Sequence, residues 1–434
     1  MGYAEATAHL DALGVDAMKS LKPSLHRIEA LLEALGHPEN SVPAIHVAGT
    51  NGKTSTARIA SSVLAATGLK VGTYTSPHLE SVRERIARSN EPISEHEFGE
   101  VFDHIAPFVE LAEKRLDESL SYFEILTGMF FLWAADSVDA MVVEVGLGGR
   151  WDATNVINAP VAVVTNIGLD HTALLGEDKQ TIAREKAGII KSDAVAVTAE
   201  RSPEILEIID AEAKRAGADV VRIERDFRLT DNRTAVGGRY LSMETTRHSY
   251  HGVLLPLHGG HQGVNALAAV EAVTQFLREK VILDDVVAEG LAGAEVPGRL
   301  EQLHPDAGDA PAIMLDVAHN PEGVSALVSS LTEAFAFERV IFVVGILGDK
   351  DYEGMLAELF RIPCSLVATE AKSVRSVAPS ELERSAQELG LSCEVVGEIP
   401  AALRRAASMA NESDMVCVTG SHYVVGEARS FLLA

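Results

Sequence analysis

Cysteine is nearly absent: Cys364, Cys393 and Cys417 are the only three in 434 residues, and no two of them form a C-x-x-C pair. That excludes a disulfide framework and a thiolate zinc site, and leaves the three as expected core residues. Basic residues are scarce as well, 37 Lys and Arg against 63 Asp and Glu, for a net charge of −26. A broad electrostatic grip on nucleic acid, which depends on Lys and Arg neutralising phosphates, is therefore not expected, and small molecules are the expected partners. If such a substrate is itself anionic, local cations or metal ions must overcome the repulsive background field. No apolar run is long enough to span a bilayer. The most apolar window, Ile125 to Ala135, is eleven residues long and contains Thr127 and Gly128, so a buried helix is expected there and no membrane association. The first residues, MGYAEATAHLD, lack a basic stretch leading into an apolar core, and position 6 is Ala where a myristoylation motif takes Ser or Thr. A cytoplasmic location is the expectation.

What is present is an ordinary globular composition, 47% hydrophobic and 23% charged, in a chain long enough for two domains. Apolar runs rich in Val and Ile (IHVAG, DAMVVEVG, PVAVVTN) alternate with helical patterns, which predicts α/β architecture with parallel sheets. Residues 54–67 read as a helix directly after a glycine turn, and helices are also predicted over 261–277 and 283–292. Between 222 and 252 the character turns to alternating, polar β-type sequence, which predicts a hairpin or small sheet added to the first domain. Gly and Pro density rises over GAEVPGRL, residues 293–300, and a new βα series follows. The predicted domains are therefore 1–295 and 296–434, the second with a five- or six-stranded open sheet.

The stretch HVAGTNGKTS, His46 to Ser55, carries the strongest chemical signal. Gly49 and Gly52 permit tight backbone geometry, amide N–H groups can face a phosphate chain, and Lys53 adds a compact positive charge. Position 47 is Val where the general P-loop has Gly, so the match is to a shorter G-x-x-G-K-[ST] form, with either Thr54 or Ser55 offering a hydroxyl to metal or phosphate. Glu144 ends a predicted strand before a glycine-rich turn, where ligands of open α/β sheets bind and where a carboxylate can hold Mg2+. Asp170 and His171 follow another strand; Lys186 lies on a helical pattern and, taken alone, reads as a surface lysine. Asn265 could read an adenine edge, Arg299 a phosphate and Asp316 a ribose hydroxyl; His319 lies in the same LDVAHNP block as Asp316. Helix caps and turns explain Asn and Asp equally well.

Taken in order, HVAGTNGKTS, TSPHL, YFEILT, EVGLGGRWDATN, GLDHTALLG, EKAGIIK, HQGVNA, PGRLE, LDVAHNP, GILGDKD and GSHYVVGEAR resemble the folylpolyglutamate synthase / dihydrofolate synthase family of the Mur ligase superfamily. The resemblance runs from about Lys22 to the C-terminus. It implies an N-terminal P-loop ATPase domain of the Mur ligase central type with a small added β region, followed by a Rossmann-like C-terminal domain, with the active site between them. The implied activity is ATP-dependent joining of L-glutamate to dihydropteroate, to a folate already carrying glutamate, or to both, by a monomer that uses Mg2+ at two sites.

Carried over residue by residue, Gly49, Thr50, Asn51, Gly52, Lys53, Thr54 and Ser55 cradle the ATP phosphates. Asn265, Arg299, Asp316 and His319 complete the nucleotide site. Ser76, Glu144 and His171 bind magnesium, joined by Lys186, which matches a family lysine that becomes carbamylated. Lys53, His171 and Lys186 are the implied catalytic residues. Pterin contacts are implied for Lys22, Pro23, Ser24 and Leu25, for Phe123, and for Trp151, Asp152 and Ala153. This chain has Gly52-Lys53-Thr54-Ser55 where the family commonly has G-K-G-S, and Asn90-Glu91 where it often has N-G. A Mur-type ligase with a cell-wall precursor as acceptor, or a P-loop switch or motor ATPase, are the alternative readings.

Overall fold

The computed structural model describes residues 2–14, 24–278, 280–303 and 313–434. The chain forms two compact units: Met1–Asp231 with Leu241–Leu254 and Val264–Ala294, and Asn232–Tyr240 with Leu255–Gly263 and Glu295–Ala434.

The first unit is built on an eight-stranded sheet of β1 (Ala44–Ala48), β2 (Val71–Tyr74), β3 (Ile86–Arg88), β4 (Glu91–Pro92), β5 (Ala140–Glu144), β6 (Val161–Val164), β7 (Val195–Thr198) and β8 (Asp219–Arg222). Their order is β4-β3-β2-β5-β1-β6-β7-β8. Only the β2–β3 and β3–β4 pairs are antiparallel. β1 is central and all five of its residues are buried, as expected of a parallel strand covered on both faces. One helical layer includes Tyr122–Ser137, into which the apolar 125–135 window falls, packed with the helices His26–Ala34 and Glu95–Leu116. Ser121 starts that buried helix by accepting from the Glu124 amide while the Glu124 carboxylate accepts from the Ser121 amide, a reciprocal cap. A second cluster, around Ile182, Ile189, Ile205 and Ile209, packs against residues of β6 and β7.

The polar segment forms a three-stranded sheet of β9 (Arg228–Ala235), β10 (Gly238–Glu244) and β11 (Ser249–Leu255), in the order β11-β10-β9. Residues 232–240 and 255–263 of this region group with the second unit. Arg239, 2% exposed, explains part of this: its guanidinium bridges Asn232 and Glu333, at 3.0 Å to the latter.

The second unit holds a six-stranded sheet of β12 (Arg299–Leu303), β13 (Ile313–Asp316), β14 (Arg339–Val344), β15 (Cys364–Ala368), β16 (Cys393–Val395) and β17 (Asp414–Thr419). The order is β12-β13-β17-β14-β15-β16, parallel except for β12–β13, an open Rossmann-like sheet. All three cysteines are free; Cys417 is buried in the core, while Cys364 and Cys393 are half-buried. Among the described residues no helix is long and apolar enough to cross a membrane.

Candidate active site

Strand register brings the chemistry to one edge. Val47 of β1 lies opposite Glu144 of β5, Ala48 opposite Val164 of β6, and Val143 of β5 opposite Tyr74 of β2. Gly49, Glu144, Thr75 and Thr165 therefore leave the sheet together at its carboxyl edge, where open parallel sheets bind ligands. The loop that follows β1 opens the helix Lys53–Ala66. Gly52 adopts φ +81°, and a Cβ there would sit 2.5 Å from Asn265 Oδ1; a Cβ on Gly49 would fall onto the Thr165 hydroxyl. Glycine is required at both positions, and the contact places the Asn265 side chain against the loop.

Two residues that the motif reading did not single out, Thr165 and Asn166, hold the loop in shape. The Thr165 hydroxyl donates to Asn51 O at 2.7 Å, and the Asn166 side-chain oxygen accepts from the Asn51 amide at 2.9 Å. Thr50 donates its amide to Asn166 O and its hydroxyl to Gly168 O. The only sequence signal was their place, directly after a Val-rich strand facing the glycine loop.

Lys53 and Lys186 converge on one carbonyl. Lys53 Nζ donates to Gly49 O and Thr50 O, both at 3.1 Å, and Lys186 Nζ donates to Gly49 O at 2.8 Å. Lys186 is the last residue of the helix Lys179–Lys186 and lies four residues after Ile182, on the same buried face. It is 5% exposed, not the surface lysine that its local sequence suggests. Burial first, and the Lys53 charge second, push its amine down to about 7, against the opposing pull of Asp170, Asp152 and Glu185.

Glu144, 1% exposed, is shared between the first turn of the loop helix and the residue two after β2. Its Oε1 accepts from the Thr54 hydroxyl at 2.8 Å and its Oε2 from the Ser76 amide at 3.1 Å. Of the two P-loop hydroxyls, Thr54 is the one turned to the carboxylate; Ser55 is buried within the helix at 2% exposure. His171 caps a short helix, Thr172–Leu175, in a left-handed conformation of φ +50°, and its ring lies 3.9 Å from Asp170 Oδ2. Among the described residues no three His, Cys, Asp or Glu side chains form a ready-made metal cage. The donors present are a buried carboxylate with the Thr54 hydroxyl beside it, which fits a hard divalent cation that keeps water and phosphate oxygens as further ligands.

Phe123 is buried 6.0 Å from the Tyr74 ring, and Trp151 is half exposed on the turn between β5 and β6. Asp152 is anchored within its turn: its Oδ2 accepts from the Leu147 amide at 2.8 Å and its Oδ1 from the amide and hydroxyl of Thr154. Burial pushes its carboxyl up, against these hydrogen bonds. Ala153 is buried behind the turn. Ser24 Oγ pairs with His26 Nδ1 at 2.7 Å, and Leu25 precedes the helix His26–Ala34; Lys22 and Pro23 lie outside the described residues.

In the second unit, Arg299 and Asp316 are register partners at the end of the β12–β13 ladder. Asp316 accepts from the Leu300 amide at 3.0 Å and the Ala318 amide at 2.9 Å; burial pushes its carboxyl up and the Arg299 charge opposes this. His319 Nδ1 donates to Val317 O at 2.9 Å, and its ring centre lies 5.3 Å from that of His422, the two planes tilted by 51°.

A phosphate loop beside an acidic strand end on a parallel sheet, followed by a Rossmann-like unit, defines an ATP-dependent ligase of the Mur type. The Mur ligase middle domain matches residues 47–273, and the Mur ligase glutamate ligase domain matches residues 298–422. The dihydrofolate synthase/folylpolyglutamate synthase of Mycobacterium tuberculosis is 42% identical over 385 residues, 85% of this chain and 78% of that one. The structure of Mycobacterium tuberculosis folylpolyglutamate synthase complexed with ADP superposes with a TM-score of 0.94 at 39% identity, over 99% of this chain and 98% of that one. A bifunctional folylpolyglutamate synthase/dihydrofolate synthase with Mn, AMPPNP and L-glutamate bound matches at TM-score 0.85 and 30% identity, over 100% and 98% of the two chains. The chain belongs to the folylpolyglutamate synthase / dihydrofolate synthase family.

Proposed function

We propose that the chain joins L-glutamate to dihydropteroate, to folates already carrying glutamate, or to both, at the expense of ATP. The observation that carries this reading is the cluster at the sheet edge: Thr54 and Ser76 on the Glu144 carboxylate, with Lys53 and Lys186 sharing the Gly49 carbonyl. The names and ligands of the similar proteins support the same chemistry.

A carboxylate is a poor acyl donor because its leaving group would be oxide. In the proposed sequence the acceptor's carboxylate oxygen attacks the γ-phosphorus of ATP in line, the bond to the β-phosphate oxygen breaks, and ADP leaves an acyl phosphate. The neutral amine of glutamate then attacks the acyl carbon, the C–O bond to phosphate breaks, and the amide forms with loss of one proton. Residues 49–55 orient the phosphate chain, and Lys53 neutralises charge on the transferring group. Thr54, Ser76, Glu144, His171 and Lys186 as its carbamate would hold Mg2+, which when bound neutralises phosphate charge. Lys186 fits that modification because a buried amine near neutrality is available as a nucleophile toward CO2. Asn265, Arg299, Asp316 and His319 are assigned to the nucleotide, and residues 22–25, Phe123 and Trp151–Ala153 to the pterin. Residues 1–295 and 296–434 are the corresponding functional domains of a cytoplasmic monomer.

The test is ADP release by the purified protein with ATP, Mg2+ and L-glutamate, with dihydropteroate or tetrahydrofolate as acceptor. Turnover with one acceptor or both, dependent on glutamate, is expected. Turnover with neither, or turnover unchanged when glutamate is omitted, refutes the reading.

A further inference from the structure

The turn that carries Trp151 is tied to the phosphate-loop strand by three fully or nearly fully buried polar side chains. His46 in the middle of β1 and Thr154 are 0% exposed, and Asp152 is 5% exposed. His46 Nε2 lies 2.9 Å from the Thr154 hydroxyl, which in turn donates to Asp152 Oδ1. Asp152 closes the turn through the Leu147 and Thr154 amides.

Proton counting sets the polarity. The Thr154 hydroxyl has one proton and spends it on Asp152, so toward His46 it can only accept. His46 Nε2 must therefore carry the ring proton. The other ring nitrogen, Nδ1, is buried without a protein partner, which costs less for a bare lone pair than for an N–H. Burial, aided by the charge of Lys191, keeps the ring neutral down to about pH 3, which matches a one-proton imidazole.

We infer that His46 and Thr154 are positioning residues: His46 fixes the Thr154 hydroxyl in the one rotamer that donates to Asp152, and so holds the Trp151–Ala153 turn in register with the phosphate loop. His46 stands in the strand that leads directly into the phosphate loop at Gly49, so loop and turn are fixed to one rigid element. The inference rests on the reading that this turn contacts the pterin acceptor, and it assigns the aim of that contact to two residues that do not touch the acceptor.

The test compares KM for tetrahydrofolate with KM for ATP in Thr154→Val, Thr154→Ser, His46→Phe and, as a control on the pterin reading, Trp151→Ala. Loss of one buried hydrogen bond predicts that Thr154→Val and His46→Phe raise the acceptor KM about tenfold while the ATP KM stays within about twofold. Thr154→Ser, which keeps the hydroxyl, restores the wild-type acceptor KM. If Trp151→Ala raises the acceptor KM but Thr154→Val does not, or Thr154→Val raises both KM values equally, the relay is overturned and the pterin reading stands. If Trp151→Ala leaves the acceptor KM unchanged, both fall. A second measurement needs no variant: 15N shifts of the His46 ring in the wild-type protein are expected to show the Nε2–H tautomer between pH 6 and 8, and the Nδ1–H tautomer would overturn the inference.

Discussion

Replacing Lys186 separates a structural lysine from a carbamylated one. The amine lies near 7 instead of the ordinary 10.5. At pH 7 about half of it is neutral, against about one in three thousand for an exposed lysine, so the nucleophilic form is enriched by about three orders of magnitude. In the proposed carbamylation the ammonium first loses one proton, the neutral amine then adds to the carbon of CO2 and a second proton leaves, so that a cation next to Lys53 would become an anion. Both consequences would favour the site: the repulsion between two ammonium groups sharing Gly49 O would disappear, and hard oxygen ligands would take the place of the Lys186 amine beside the phosphate loop. Lys186→Ala and Lys186→Arg are each expected to lower ADP-forming turnover by at least about a hundredfold, the scale of losing an electrostatic partner at the transferring group. Acetate or propionate should restore part of the activity of Lys186→Ala, which leaves room for a carboxylate, and none of that of Lys186→Arg. Labelling with 13C-bicarbonate should give a carbamate carbon signal in the wild type that is absent from both variants. A fully active Lys186→Arg, or an active wild type without that signal, would refute the reasoning.

Thr54→Ala should lower kcat by about tenfold or more, and Thr54→Ser much less, whereas Ser55→Ala should act mainly on stability, because only the Thr54 hydroxyl reaches Glu144; equal kcat losses at the two positions in steady-state assays would contradict this. In Gly149→Ala the new Cβ would stand 2.6 Å from Glu185 O and 2.8 Å from the Lys186 Cα. Backbone must shift, so a loss of about 1–3 kcal/mol in urea unfolding is expected, together with reduced turnover. Acidification should destabilise the first unit through His46, whose pKa falls from 6.5 to about 3 on folding. The depressed value means that the contribution is complete above pH 6.5 and is lost as pH falls toward 3, about 2 kcal/mol of it by pH 5. In denaturant titrations His46→Phe should show a correspondingly shallower decline between pH 7 and 5.

The elements that chemistry reads from local sequence are those whose cause is local. The glycine loop, the helix that begins at Lys53 and the carboxylate at the end of β5 each follow from a few adjacent residues, and the structure brings them together because parallel strands align their carboxyl ends. The burial of Lys186 is of another kind. Ile182 and Ala183 lie on the buried face of its helix, but what meets Lys186 comes from elsewhere in the chain: the backbone at Gly149 passes against residues 185 and 186, and Gly49 O accepts from the amine. The choice between Thr54 and Ser55 is likewise decided from outside: neighbours on a helix differ by about 100° in direction, and it is Glu144, ninety residues on, that selects one of them. His46 was the least legible. In AIHVA every residue is buried, so the alternation that marks the two faces of a half-exposed strand carries no information, and a histidine there reads as core. Only the hydrogen bond to Thr154, 108 positions later, gives its ring a direction. A polar side chain in an otherwise apolar central strand costs free energy to bury unless it is satisfied, and for His46 the Thr154 hydroxyl of the turn beyond β5 is that partner.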